Sequence, residues 1–117
     1  MREHIMQIVA NLENTIHVLP SQIVVIHGDA AGADRMADYI CREMGIATEA
    51  YPADWNRYGK YAGPERNRRM LSLTPQLVVA FKEGFDHSFS KGGTEHMVSI
   101  AQQANVPTII IDPLVLA

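Results

Sequence analysis

Four consecutive apolar residues, Ile23-Val24-Val25-Ile26, run into His27-Gly-Asp-Ala-Ala-Gly-Ala-Asp34, and a helix-period segment from Ala33 to Met44 follows at once. The apolar, mostly β-branched run predicts a buried strand, the glycines a tight turn, and the periodic segment a helix. A strand that feeds directly into a helix limits the available folds, because a helical crossover is what lays the next strand alongside in the same direction. Gly28 and Gly32 keep bulky side chains out of the turn, while the first N–H groups of the helix point outward without partners. An anion fits there. The same glycines also serve turns that bind nothing, by relieving a positive φ or letting a helix pack closely.

The rest of the chain repeats the alternation. Glu3 to Val18 places Ile5, Ile8, Val9, Leu12 and Ile16 on one helical face, and Pro20 closes it. The helix to Met44 carries Ala33, Met36, Ala37, Ile40, Cys41 and Met44 on its apolar side, with Gly45 placed to end it at C′. Ile46 to Tyr51 reads as a strand, Pro52 to Pro64 as a long connection, and Pro64 with Glu65 as the start of a helix to about Leu73. Leu77 to Phe81 is a third strand, Lys82 to Lys91 a polar segment, Gly92-Gly93 the opening of a helix through Ala104, and Val106 to Ile111 a fourth strand. Buried strands alternating with amphipathic helices predict a three-layer α/β/α Rossmann-like domain with a mostly parallel sheet. At 117 residues the whole chain, 1–117, is expected to be a single domain. Ligands of such sheets bind beyond the carboxyl ends of the strands, where the turns at Gly28, Asp54 and Gly92 converge.

Composition excludes several classes. No apolar run approaches the roughly 18 residues of a membrane helix, and the N-terminus has no continuous apolar centre, so a membrane partner is not expected and a cytoplasmic location is. The single cysteine, Cys41, cannot form an internal disulfide. A net charge of −3 argues against a nucleic-acid partner held by a basic surface. Yet Arg57, Lys60, Arg66, Arg68 and Arg69 crowd together, and an acidic ligand is to be sought there. The histidines His4, His17, His27, His87 and His96 show no metal-binding spacing. No dedicated metal site is expected, although magnesium can arrive with a phosphate ligand.

In order and spacing, His27 to Asp34, Tyr51-Pro-Ala-Asp-Trp55, Tyr58-Gly-Lys60, Ala62-Gly-Pro-Glu-Arg-Asn-Arg-Arg-Met70 and Gly92-Gly-Thr94 resemble the YspA-like branch of the SLOG superfamily. That superfamily also holds the LOG phosphoribohydrolases, once labelled lysine decarboxylases, and the DNA-processing protein DprA. The resemblance spans Val24 to Ile111 and implies a Rossmann-like fold that seats a nucleotide or nucleotide-derived ligand at its glycine loops. Members usually begin with a strand ending in Gly-Ser/Thr-Arg, which would lie in the middle of the sheet. This chain starts at the helix that follows it. The two flanking strands are then expected to pair directly, or a partner subunit or the tail Pro113 to Ala117 to fill the seam, because unsatisfied backbone groups cost about 1 to 3 kcal/mol each. A homodimer or higher homo-oligomer is the expectation.

LOG hydrolases carry an arginine in Arg-x-x-x-Met and a glutamate in Gly-Gly-x-Gly-Thr-x-x-Glu, and Arg66 with Met70 matches the first. In the second, Met97 stands where the glutamate belongs, and a thioether cannot serve as acid or base. The reading is therefore of a binding protein, sensing or sequestering its ligand. The alternatives are a phosphoribohydrolase, with Arg66 and a displaced carboxylate such as Glu95 or Asp54 as catalytic groups, and an interaction module with a vestigial pocket. Ligand contacts are expected from Gly28, Asp29, Gly32, Ala33, Asp34, Asp54, Trp55, Arg66, Asn67, Gly92, Gly93 and Thr94. Asp34 can equally cap its helix, Asp54 lock its loop, Asn67 bond the preceding backbone, and Trp55 anchor the connection. His27 is expected to be satisfied by backbone.

Overall fold

The computed structural model describes residues 1–82 and 92–112. The elements are α1 (Arg2–Ile16), β1 (Val24–His27), α2 (Ala33–Glu43), β2 (Ala47–Ala50), α3 (Trp55–Tyr58), α4 (Ala62–Leu71), β3 (Val78–Phe81), α5 (Gly92–Gln103) and β4 (Thr108–Ile111). Short 3₁₀ turns cover Pro20–Gln22 and Gly59–Tyr61. The polar segment through Lys91, with His87, and the tail from Pro113 lie outside the described residues.

The chain divides into two compact units, Met1–Pro52 and Ala53–Ala117. In the first, β1, α2 and β2 form a strand–helix–strand unit whose parallel register runs from Val24 opposite Ala47 to His27 opposite Ala50. The Tyr51 N–H extends that ladder to the His27 carbonyl at 2.8 Å. Ile5 and Val9 of α1, Ile40 and Cys41 of α2, and Ile46 are its buried apolar residues. In the second, β3, α5 and β4 repeat the pattern, with Val78 opposite Thr108 through Phe81 opposite Ile111. Its buried residues are Ala62, Met70, Val78, Ala80, Val98 and Ala101. The described strands thus form two two-stranded parallel sheets, where one sheet was expected. An α/β fold with parallel strands is what the alternation foretold.

Three local expectations need correction. Ile16 is 60% exposed although it continues the apolar face of α1. A helix of fifteen residues is about 22 Å long and α2 about 16 Å, so α2 is too short to cover the whole apolar face of α1. The connection after Pro52 is not irregular, because Asp54 caps α3 by accepting the Arg57 N–H at 3.1 Å. And α4 begins at Ala62, two residues before Pro64. Proline is tolerated there because first-turn N–H groups have no intrahelical acceptor to lose.

Both crossover helices end in the same way. The Gly45 N–H bonds the Arg42 carbonyl at 3.2 Å and the Ile46 N–H the Cys41 carbonyl at 2.9 Å. At the end of α5 the Asn105 N–H bonds Gln102 at 3.0 Å and Val106 bonds Ala101 at 2.9 Å. Gly45 and Asn105 both sit in the left-handed region, with φ of 76° and 60°. This closure satisfies the last carbonyls and turns the chain back toward the next strand. No atom crowds a Cβ at Gly45, so the cost of Gly45→Ala is backbone strain alone. We expect Gly45→Ala to lower unfolding free energy by about 1 kcal/mol, read as a shifted urea midpoint at unchanged slope.

Candidate functional site

In the first unit, the turn after β1 is built around a buried histidine. The Asp29 N–H donates to His27 Nδ1 at 3.0 Å, so that nitrogen carries a lone pair and Nε2 carries the proton. Nε2 donates to Asp38 Oδ2 at 2.6 Å. Hydrogen bonds from His27, then Thr48, then Arg42 hold the Asp38 carboxyl well below its ordinary value, at about 2. With both ring nitrogens occupied, His27 fixes the turn to α2. Its partners are backbone, as expected, and a carboxylate that spacing alone does not point to.

Asp34 Oδ2 accepts the Gly28 N–H at 3.0 Å and the Ala30 N–H at 3.2 Å. The turn's own amides therefore already hold an anion, supplied by the chain. Asp29 adopts a left-handed φ of 56° and faces Arg35 at 3.4 Å. Gly32 caps α2 without a side-chain bond, and the first intrahelical bond is Met36 N–H to the Gly32 carbonyl. The amides of the first turn, beginning at Ala33, have no intrahelical acceptors. They make a helix start of positive character.

In the second unit the organising group is the Asn67 amide, 3% exposed. Its nitrogen donates to the Gly93 carbonyl at 2.9 Å and to His96 Nδ1 at 3.1 Å, and its oxygen accepts from Arg66 Nε at 3.1 Å. Turning the amide over would set its oxygen against the Gly93 carbonyl, so the bonds themselves fix its orientation. Arg66, Asn67, Gly93 and His96 are thereby brought together where α4 meets the start of α5. Burial, then the charge of Arg68, holds the His96 imidazole below its ordinary value of 6.5, which agrees with an Nδ1 that accepts.

Beside this cluster, Glu95 is fully buried and receives Lys82 Nζ on both oxygens, at 2.5 and 2.8 Å. Gly92, with φ of 78°, passes so close that a Cβ there would stand 2.8 Å from Lys82 Nζ. A side chain at 92 would be strained at that φ and would displace the Lys82 ammonium from Glu95. The ion pair ties the end of β3 to the first turn of α5, and the sequence reading had not singled out Lys82. Thr94 is partly exposed in that turn. Asp54 caps α3, and Trp55 is 61% exposed.

Gly28, Asp29, Gly32, Ala33 and Asp34 thus belong to the first unit, while Asp54, Trp55, Arg66, Asn67, Gly92, Gly93, Thr94 and Glu95 belong to the second. An open groove of about 450 Å³ lies elsewhere, lined by Arg68, Leu71 and Ser72 of α4 and its end and by Ile100, Gln103 and Ala104 of α5 and its end. It is at the far end of α5 from Gly93. Among the described residues no three His, Cys, Asp or Glu side chains gather as a metal site. No helix among them is long and apolar enough to cross a membrane.

Lys82→Met leaves a buried carboxylate without its cation. Because Lys82 is itself about a third exposed, we expect a loss of about 2 to 3 kcal/mol by denaturant titration, below the figure for a wholly buried pair. A depressed native pKa at His96 means that the unfolded chain takes up the proton first as pH falls. Its contribution to stability is complete above pH 6.5 and is lost as pH drops below that value toward the native pKa. His96→Gln should therefore flatten stability against pH below 6.5, with the wild-type imidazole titrating below 6.5 by NMR.

The model of the YspA, cpYpsA-related SLOG family matches residues 3–58, from α1 through α3 and including the Gly28 turn, Asp54 and Trp55. The gene 61 protein of Mycobacterium phage D29 is 36% identical over 103 residues, covering 84% of this chain and 78% of that protein. No solved structure matches. The family match takes in the turn whose geometry is set by His27 and Asp34, and the likeness to the phage protein covers most of the chain: it belongs to the YspA, cpYpsA-related SLOG family.

Proposed function

We propose that the protein binds a nucleotide or nucleotide-derived ligand, such as a nucleoside phosphate, nucleotide sugar or ADP-ribose derivative, and senses or sequesters it. The observation that carries this reading is the Asn67 amide, which holds Arg66 against the glycine-led start of α5. A phosphate is suited to a guanidinium beside a helix start, since each supplies N–H donors and positive charge. Within the first unit, the amides at the start of α2 are a separate anion seat. Magnesium, if used, comes with the phosphates.

A binding role is favoured over phosphoribohydrolase chemistry because Glu95 has both oxygens engaged by Lys82 and no solvent-exposed surface. Met97 supplies no carboxylate in its place. We further propose a cytoplasmic protein with the three-layer arrangement of a single domain, assembled as a homodimer. The short two-stranded sheets support the last point: among the described residues each leaves strand edges that a further strand can pair.

Thermal-shift screening with AMP, ADP-ribose, NAD and cyclic nucleotides tests the reading. At least one should raise the midpoint, and Arg66→Ala should weaken it by about ten- to a hundredfold, the range for a hydrogen bond to a charged group. No shift from any of them would leave an interaction module as the better account. Free base released from AMP and lost in Arg66→Ala would establish the hydrolase instead. Sedimentation showing a monomer at micromolar concentration would remove the dimer.

A further inference from the structure

The exposed aromatics of the second unit are not explained by a phosphate seat. Trp55 is 61% exposed and Tyr61 64%, and Tyr58 between them is partly exposed. Aromatics that merely anchor a connection onto the core bury their faces. One edge of Trp55 lies over Gly63, where its Cη2 would be 3.7 Å from a Cβ. Cations accompany the rings: the Arg57 guanidinium stands 5.2 Å from the Tyr58 ring centre, and Lys60 Nζ 5.2 Å from that of Tyr61.

The pairing of charges elsewhere sharpens the point. Arg2, Arg35, Arg42, Arg69 and Lys82 each meet a carboxylate. Among the described residues Arg57 and Lys60 form no such ion pair. Trp55 to Arg69 holds five of the ten basic residues and one of the thirteen acidic ones, a local charge of +4 in a chain of net −3. Of these five, Arg57 and Lys60 are the two that stand beside the exposed rings.

We propose that Trp55, Tyr58 and Tyr61, with Arg57 and Lys60, bind single-stranded nucleic acid, the bases stacking on the rings and the phosphates meeting the cations. Three platforms with interleaved cations exceed what one nucleobase covers, but they suit a strand that presents a flat face and a charge at every repeat. A duplex hides those faces. The surface does not depend on Arg66 or the start of α5, so it stands or falls separately from the nucleotide reading.

Trp55 is the only tryptophan, so its fluorescence reports on this surface directly. Titrating the full chain with an oligothymidylate of about twelve nucleotides should quench it saturably. The logarithm of affinity should fall against the logarithm of salt with a slope of about −1.4 or steeper, two phosphates at about 0.7 each. Lys60→Ala should reduce that slope by about 0.7. Tyr61→Ala, at an exposed position, should keep the native circular dichroism and weaken binding by about five- to a hundredfold. Absence of quenching overturns the proposal, as does equal quenching by thymidine monophosphate or tighter binding of a duplex. Dissociation of a dimer by Tyr61→Ala without oligonucleotide binding assigns the surface to a second copy and overturns it too. Loss of mononucleotide shifts in Arg66→Ala bears only on the other site.

Discussion

Parallel pairing of two neighbouring strands in sequence requires the chain to travel back the full length of the sheet between them, and in this protein a single helix does so twice. The step that makes it possible is the reversal at the helix end. Gly45 and Asn105 adopt the left-handed conformation, close the last carbonyls of α2 and α5, and deliver Ile46 and Val106 toward β2 and β4. Ile46 is 2% exposed, so the residue just past the reversal is also a core residue. Helix end, strand start and core are thus one structural decision. Using asparagine at 105 is consistent with the same geometry, since its short polar side chain tolerates that region better than other non-glycine residues do.

At the opposite end of each crossover helix the chain uses a different device. α2 starts from an uncapped glycine, and the turn before it is stiffened by side chains behind it: His27 on the Asp29 amide, Asp34 on the amides of Gly28 and Ala30. α5 starts from glycines held by Asn67 on one side and by the Lys82–Glu95 pair on the other. In both cases side chains from outside the helix hold its start, and at α2 the N-cap residue makes no side-chain cap hydrogen bond. A binding site gains from that arrangement, because the donors need no rearrangement when a ligand arrives.

Much of this was legible in the sequence. The four strands of the described residues lie within two residues of where the sequence placed them, and Gly45 marked the end of α2. The glycine turn and the Arg66–Asn67 pair were recognisable because their residue types are chemically unusual where they stand. What was not legible depends on contacts between residues far apart in the chain. No local pattern says that Glu95 will meet Lys82, thirteen residues away across the start of a helix, or that Asn67 will reach His96. Periodicity placed Ile16 and Met36 on apolar faces, but it carries no information on how far the facing surface extends. The connection after Pro52 looked irregular because α3 is a single turn of four residues, too short for a period to show.

The disposition of charge connects these points. A protein with more acidic than basic residues can satisfy every cation internally, and this chain does so at Arg2, Arg35, Arg42, Arg69 and Lys82. It spends its carboxylates unevenly: Asp38 alone meets both His27 and Arg42, and Asp34 is committed to backbone amides. Arg57 and Lys60 lie instead against tyrosine rings, an attraction of about 0.5 to 1 kcal/mol at exposed sites. A ring face balances only part of a cation's charge, so these two side chains keep most of their attraction for an incoming anion. The ring beneath each of them fixes where that anion will be met.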